Sequence, residues 1–220
     1  MNTKSMFTKE WFSGLGKSLK FALYCCVHPF DGFWDITREK KGSLAAANVI
    51  MLLLVFQEVF RLMLSSFVFV NVYLPTINIW FVAAGVVFPL LLWALSNWSL
   101  TTLMDGKGRL QDVYMATMYA FTPKILIGYP LIILSHVLTE DEGAIYFTLE
   151  KIALIWSILL VLSAMMMIHD YSLGKAVFSS IITIVGIAVI VFILILFFSL
   201  ISDGIAYFVS IYKEIAVRMY

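Results

Sequence analysis

Charge is scarce in this sequence. Asp, Glu, Lys and Arg together make up 13% of the chain, whereas 62% of its residues are hydrophobic. Soluble domains contain about 25% charged and about 45–50% apolar residues, so this composition excludes an ordinary soluble globular domain. The formal net charge is only +1. Without a strong positive field, we expect no nucleic-acid partner.

Cysteine is scarce as well. Cys25 and Cys26 are the only two cysteines, and they are adjacent. A vicinal pair does not staple distant parts of a chain, and two cysteines alone do not complete a tetrahedral zinc site. We interpret them as reduced thiols packed near the cytoplasmic face, with lipidation or metal binding as the alternatives. We expect no bound cofactor or metal.

Motifs of the common hydrolases and nucleotide-binding enzymes are missing. The chain has no Gly-x-Ser-x-Gly elbow and no His-Glu-x-x-His pair. Two stretches resemble a phosphate loop but lack its spacing. Gly108 is followed by Arg109, and Gly16-Lys17 has Trp11 where the first glycine is required. We therefore expect a protein that is not an enzyme and has no catalytic residues.

Long apolar runs are what the sequence has in abundance. A bilayer core about 30 Å thick is crossed by about 20 helical residues. This criterion predicts an all-α, polytopic integral membrane protein with five transmembrane helices, at about residues 44–64, 79–103, 113–137, 149–168 and 176–201. Pro89 lies midway along the second span, where it predicts a kink.

Both ends of the chain have amphipathic patterns. Residues 11–27 predict an interfacial helix that turns its apolar side toward the acyl chains and ends at His28-Pro29. Residues 203–220 predict a second in-plane helix, on the outer surface. We divide the chain into a cytoplasmic N-terminal segment (1–43), a five-helix domain (44–202) and an amphipathic tail (203–220).

The basic residues predict the orientation. Seven lysines and arginines precede the first span, and Lys107, Arg109 and Lys175 lie in connections on the same side. Residues 65–78 and 138–150, on the other side, contain none. Because basic loops stay in the cytoplasm, we expect a multi-pass protein of the cell membrane with a cytoplasmic N-terminus. Five spans then place the C-terminus outside.

Apart from Glu150 and Lys151 at the very start of the fourth span, three charged residues fall within the predicted spans. A charge at the bilayer centre costs about 2.5–3.5 kcal/mol on insertion scales, so Glu58, Arg61 and Lys124 form a possible intramembrane polar site. Glu58 has a local partner in Arg61, three residues further along the helix. Pairing with Lys124, at a similar depth, is the second possibility. An ion or substrate path is the third.

Polar residues also gather near the turn between the second and third spans. We interpret this turn as a plain hairpin or as a docking surface for a cytoplasmic partner or a lipid headgroup. The candidate docking residues are Asn97, Trp98, Asp105, Gly106, Lys107, Arg109, His169 and Asp170. At a helix end beside a carboxylate, His169 is expected to be a cationic interfacial anchor. A metal site with carboxylates from the turn is the alternative.

Taken in order, these features resemble the Yip1 family, in its bacterial branch. The resemblance spans nearly the whole chain and rests on His28-Pro29, Gly42-Ser43, Asn97-Trp98, Asp105-Gly106-Lys107-Gly108, Tyr119-Ala120 before Pro123, His169 with Tyr171-Ser172, and Ile211-Tyr212-Lys213-Glu214-Ile215. It implies a five-helix membrane protein with a cytoplasmic N-terminus. Eukaryotic members of the family are partners of Rab-type GTPases in vesicle traffic. Lys124 departs from the family pattern, which is apolar just after the proline.

Two functions follow from these features. The first is a non-enzymatic accessory or scaffold protein that associates in the lipid bilayer with other membrane proteins or with itself. The alternative is a small transporter or lipid-handling protein whose path lies near Glu58 and Lys124, where prolines interrupt the helices.

Overall fold

The computed structural model describes residues 9–70 and 77–219, and within these ranges the chain is helical with no strand. The helices are α1 (Lys9–Val27), α2 (Pro29–Arg38), α3 (Leu44–Leu64), α4 (Ile79–Leu103), α5 (Leu110–Ala120), α6 (Thr122–Leu134), α7 (Gly143–His169) and α8 (Leu173–Met219), with a 3-10 turn at Glu140–Glu142 before α7. Five helical stretches in these ranges are long and apolar enough to cross a membrane, with α5 and α6 forming one of them.

The first two spans begin and end where the apolar runs predict. α3 covers residues 44–64 and α4 covers residues 79–103. Asn78 explains the start of α4, since its side-chain oxygen accepts the backbone N–H of Trp80 at 3.0 Å. Such a cap satisfies one of the N–H groups that a helix start leaves without a partner. Pro89 lies inside α4, as expected.

The third span is broken into two helices at Phe121, which ends α5 and precedes α6. Pro123 causes the break because proline has no N–H to donate to the carbonyl four residues earlier. The hydroxyl of Thr122 donates to that carbonyl, on Tyr119, at 2.7 Å. The break positions the next residue, Lys124, at the beginning of a new helix.

α5 lies at the centre of the bundle. It packs against α3, α4 and α7 and also meets α1 and α2. Met118, Tyr119 and Ala120 are completely buried, and the hydroxyl of Tyr119 accepts the backbone N–H of Ser43 at 3.2 Å. Its position explains why α5 contains small side chains such as Ala116, which let neighbouring helices approach closely.

The N-terminal helix differs from the prediction in what its apolar face contacts. The break at His28-Pro29 is confirmed, because α1 ends at Val27 and α2 begins at Pro29. However, Ala22 and Cys26 on the predicted lipid-facing side are buried against protein. The prediction that this face turns toward acyl chains is therefore wrong for these residues. Leu23 keeps 44% of its surface exposed.

The last helix is longer than predicted. α8 runs without a break through 47 residues, or about 70 Å at a rise of 1.5 Å per residue. Its first part packs against α4 and α7, whereas the side chains of residues 191–203 are exposed. The amphipathic tail is therefore a continuation of the fifth span and not a separate helix. Its direction relative to the bilayer remains a prediction.

Candidate functional site

A layer of polar residues crosses the bundle at the end where α2 lies. We call it the polar layer. Its members come from α2, α4, the turn at residues 104–109 between α4 and α5 (the glycine turn), the end of α7 and α8. They are Arg38, Ser96, Asn97, Thr101, Gly106, Lys107, Gly108, His169, Asp170, Tyr171 and Thr183. Asn97, Thr101, His169 and Thr183 are each at most 1% exposed. Buried polar groups of this kind are costly unless they are hydrogen-bonded.

His169 lies at the centre of the polar layer. Its Nε2 is 3.1 Å from Oδ1 of Asn97, and its Nδ1 accepts the backbone N–H of Gly108 at 3.3 Å. An imidazole that accepts at Nδ1 and donates at Nε2 is neutral. With 1% of its surface exposed, His169 is a buried connector between α4 and the glycine turn. The expectation of a cationic interfacial anchor is wrong because the turn closes over the ring.

Asn97 extends the network from α4 to α8. Its Nδ2 donates to Oγ1 of Thr183 at 3.0 Å, and Thr183 in turn donates to the carbonyl of Ser179 at 2.8 Å. Ser96 donates to the backbone carbonyl of Thr183 at 2.9 Å. The Asn97 side chain thus has a donor and an acceptor partner on different helices, which fixes how α8 packs against α4.

The two glycines of the turn allow it to lie directly on His169. A Cβ on Gly106 would be 2.8 Å from Nδ1 of His169 and 2.8 Å from the carbonyl oxygen of Thr101. A Cβ on Gly108 would overlap Ile168 and be 2.8 Å from Cε1 of the same ring. A larger residue at either position requires the turn or the side chains beneath it to shift. These glycines serve close packing, since neither has a positive φ angle.

Asp170 forms the exposed part of the layer. It ends α7 in the left-handed conformation, with φ of 56°, and its Oδ2 accepts from Nζ of Lys107 and Nη2 of Arg38, both at 2.7 Å. The hydrogen bond from Lys107, together with the guanidinium of Arg38, holds the pKa of Asp170 below its usual value. One carboxylate therefore joins the glycine turn, α2 and the end of α7.

A basic cavity of about 500 Å³ opens beside the polar layer, between α2 and the start of α5. Its charged lining residues are Arg38, Lys40, Lys107, Arg109 and Asp112. Asp170 partly neutralises Arg38 and Lys107. For Lys40 and Arg109, the described part of the chain provides no carboxylate within 4.0 Å. The cavity consequently has an excess of positive charge that attracts anionic groups.

The structure brings together most of the predicted docking residues. Five of them belong to the network of the polar layer: Asn97, Gly106, Lys107, His169 and Asp170. The side chains of the other three predicted residues do not belong to it, and all are exposed: Trp98, Asp105 and Arg109.

Trp98, on α4, contributes a backbone carbonyl to Thr102. Asp105 adopts a left-handed turn conformation, with φ of 58°. Arg109 lines the basic cavity. Asp105 and Arg109 therefore border the network, and Trp98 joins it only through its backbone carbonyl, which also accepts from Oγ1 of Thr101 at 3.3 Å.

Sequence reasoning did not predict six members of the polar layer: Arg38, Ser96, Thr101, Gly108, Tyr171 and Thr183. The hydroxyl of Tyr171 donates to the carbonyl of Met104 at 3.0 Å, and its ring stacks on His169 with centroids 5.3 Å apart. Ser96 and Thr183 had a detectable signal, since hydroxyls in apolar spans tend to bond across helices. Arg38 had none, because its partner lies 132 residues away.

Of the three interpretations of the possible intramembrane site, the structure shows the local ion pair between Glu58 and Arg61. Arg61 donates to Glu58 at 2.6 Å, and Lys124 lies more than 4.0 Å from the Glu58 carboxylate. Lys124 instead lines two cavities, of about 200 and 440 Å³. Glu58 thus pairs with Arg61, and the side chain of Lys124 borders cavities instead of a carboxylate.

No cluster of three metal-ligating side chains occurs in the residues that the structure describes.

The fold and the site define a polytopic helical membrane protein with a buried polar layer and a basic cavity at one end of its bundle. A family model described as the Yip1 domain matches residues 23–208. The chain therefore belongs to the Yip1 family. The match covers every element of the polar layer and does not distinguish a bacterial branch, which stays a prediction. No curated protein matched the chain, and no solved structure did.

Proposed function

We propose that this protein is a non-enzymatic accessory or scaffold protein that holds other membrane proteins through the basic cavity and the polar layer. This surface lies at the cytoplasmic side of the cell membrane, where the basic N-terminal segment and the glycine turn are retained. The partner presents an acidic segment, since the cavity has more cations than carboxylates. Charge complementarity of this kind selects partners and sets their orientation.

The observation that carries the proposal is the pairing of Asp170 with both Arg38 and Lys107. These three residues belong to parts of the chain that are distant in sequence, and their ion pairs hold the cavity walls together. A preformed surface loses less conformational entropy on binding than a mobile loop does. Lys40 and Arg109, at its rim, remain available to a carboxylate of the partner.

A small transporter or lipid-handling protein is the second candidate. It is supported by Lys124, which follows the helix break at Phe121 and lines cavities on two sides. A cationic side chain beside a broken helix is a feature of transporter binding sites. Movement of a solute or lipid by the purified protein in liposomes would support this candidate over the scaffold.

Site-specific photocrosslinking in native membranes tests the scaffold. A photoreactive amino acid replaces Gln111, which is exposed and lines the basic cavity. We expect crosslinked adducts to other membrane proteins. They should disappear when Lys40→Glu and Arg109→Glu are introduced together, since these changes repel an acidic partner.

The matched control reverses the charge of Lys213, which is exposed on α8 away from the cavity. Lys213→Glu should leave the adducts unchanged. Adducts that persist when the cavity is reversed would contradict the proposal. A protein that yields no adduct at Gln111 and purifies alone would contradict it as well.

A further inference from the structure

The smaller of the two cavities that Lys124 lines is at the other end of the bundle, between α3, α6 and α7. Its volume is about 200 Å³, enough for several water molecules at about 30 Å³ each, and its polar lining residues are Gln57, Arg61, Lys124, Tyr146, Glu150 and Lys151. We call it the α3–α6–α7 cavity. It is separate from the polar layer.

The α3–α6–α7 cavity has more positive than negative charge available. Arg61 is engaged by Glu58 at 2.6 Å and lies 4.0 Å from Glu150. For Lys124 and Lys151, no carboxylate lies within 4.0 Å in the part of the chain that the structure describes. Lys124 is half-buried and Lys151 is exposed. An ammonium group at membrane depth is costly unless an anion compensates it.

Buried polar atoms point to a ligand independently of the charges. Gln57 is 2% exposed and Tyr146 is 1% exposed, and both residues line the cavity. The Oε1 of Gln57 has no hydrogen-bond partner, and the hydroxyl of Tyr146 lies near Ser65 and Arg61 without good hydrogen-bond geometry to either. Unsatisfied buried groups are rare in folded proteins, and each one calls for an explanation such as a bound molecule.

Gly128, on α6, allows the side chain of Gln57 to pack closely against that helix. A Cβ at this position would be 2.7 Å from Nε2 of Gln57, so only glycine lets the amide lie against α6. The amide is thereby held at the wall that also contains Lys124.

The depth of the lysines matches a lipid headgroup. Lys124 lies ten residues before the end of α6, and Lys151 lies eight residues after the start of α7. These separations correspond to about 15 and 12 Å along the helices. Long lysine side chains extend from such depths toward the headgroup level. Leu154, which also lines the cavity, is 48% exposed on the lipid-facing side of the bundle.

We propose that the α3–α6–α7 cavity binds the headgroup of an anionic phospholipid, with Lys124 and Lys151 contacting its phosphate. Gln57 and Tyr146 supply hydrogen bonds to the polar atoms beside the phosphate, and the acyl chains extend along the exposed surface at Leu154. The site does not depend on the docking function, because it lies at the opposite end of the bundle and shares only α7 with the polar layer.

Retention of a short-chain phosphatidylglycerol by the full chain in detergent tests the proposal. Native mass spectrometry counts bound lipid, with short-chain phosphatidylcholine and inorganic phosphate as the comparison ligands. We expect phosphatidylglycerol to be retained at least tenfold more than phosphatidylcholine. Removing both charges with Lys124→Gln and Lys151→Gln should abolish this preference. Replacing both lysines with arginine should keep it.

The matched control removes the same charge elsewhere, with Lys17→Gln and Lys20→Gln on the exposed side of α1. This variant should retain the lipid as the wild type does. Tyr146→Phe, which removes only the hydroxyl, should weaken retention without altering the fold. Equal retention in all variants, or equal loss in the control, would overturn the proposal. Competition by inorganic phosphate as strong as that by the lipid would identify a soluble-anion site and overturn it too.

Discussion

The guanidinium of Arg38 and the carboxylate of Asp170 lie 2.7 Å apart although 132 residues separate them in the chain. This contact joins α2 to the end of α7, two elements that also pack against each other. Lys107 approaches the same carboxylate oxygen from the glycine turn. The polar layer therefore has a charged, exposed part and a buried, neutral part. The two parts are expected to respond differently to substitution.

Asp170→Asn should have a small effect on stability that depends on pH. The pKa of Asp170 is lowered first by the hydrogen bond from Lys107 and then by Arg38. A lowered pKa means that the carboxylate stabilises the fold above its unfolded value of about 3.9. This contribution is lost as the pH falls through the lower folded value. Both pairs are exposed, so each is worth about 0–1 kcal/mol.

The measurement is the unfolding midpoint in detergent for the wild type and Asp170→Asn between pH 7 and pH 2.5. The difference should stay constant down to about pH 4 and shrink at lower pH. It should also shrink with added salt, which screens exposed charges. A difference that does not change with pH would show that the ion pairs make no contribution.

His169→Ala should destabilise the protein strongly. The substitution leaves the Gly108 N–H and the Oδ1 of Asn97 without their partner. Each buried polar group left unsatisfied costs about 1–3 kcal/mol. His28, which is exposed on the surface, is the control, and His28→Ala should change stability by less than about 0.5 kcal/mol. Thermal unfolding of both variants in the same detergent checks the prediction, and equal midpoints would contradict it.

Gly108→Ala should disrupt the packing of the turn, because its Cβ overlaps Ile168 and approaches the imidazole of His169. Overpacking of this kind costs about 1–3 kcal/mol. Gly14, inside α1, has nothing within 4 Å of an added Cβ. Gly14→Ala should therefore be neutral or stabilising by up to about 1 kcal/mol, the helix propensity difference. The unfolding temperature should fall for Gly108→Ala and should stay constant or rise for Gly14→Ala.

The two cysteines should be unreactive in the folded protein. Burial, with a smaller contribution from the neighbouring thiol, raises the pKa of Cys25 to about 12, and burial raises the pKa of Cys26 to about 11. The thiolate is the form that reacts with iodoacetamide, so alkylation at pH 8 should be very slow. A cysteine introduced at the exposed position Ser13 should be modified rapidly. Fast modification of the native pair without loss of structure would contradict the described packing.

The sequence allowed the apolar spans to be predicted well but not the contacts between them. α3 and α4 match the prediction because polar residues interrupt the hydrophobic runs at both ends. The break at Phe121 had a visible cause in Pro123. The burial of His169 depends on the close approach of Gly106 and Gly108, which is a tertiary contact.

The length of α8 is a second difference with a physical reason. The segment after residue 201 contains charges, and this pattern favoured a separate in-plane helix. It contains no proline, however, and only one glycine, Gly204, between residues 187 and 219. Nothing local ends the helix, so it continues to Met219.

The docking surface must face the cell interior, and labelling of a single position tests this most directly. Asp105 is exposed in the glycine turn, and Asp105→Cys can be treated with a membrane-impermeant maleimide. The buried native thiols provide a low background. We expect labelling in inverted membrane vesicles and none in intact cells. Labelling of intact cells would place the polar layer outside and contradict a cytoplasmic docking function.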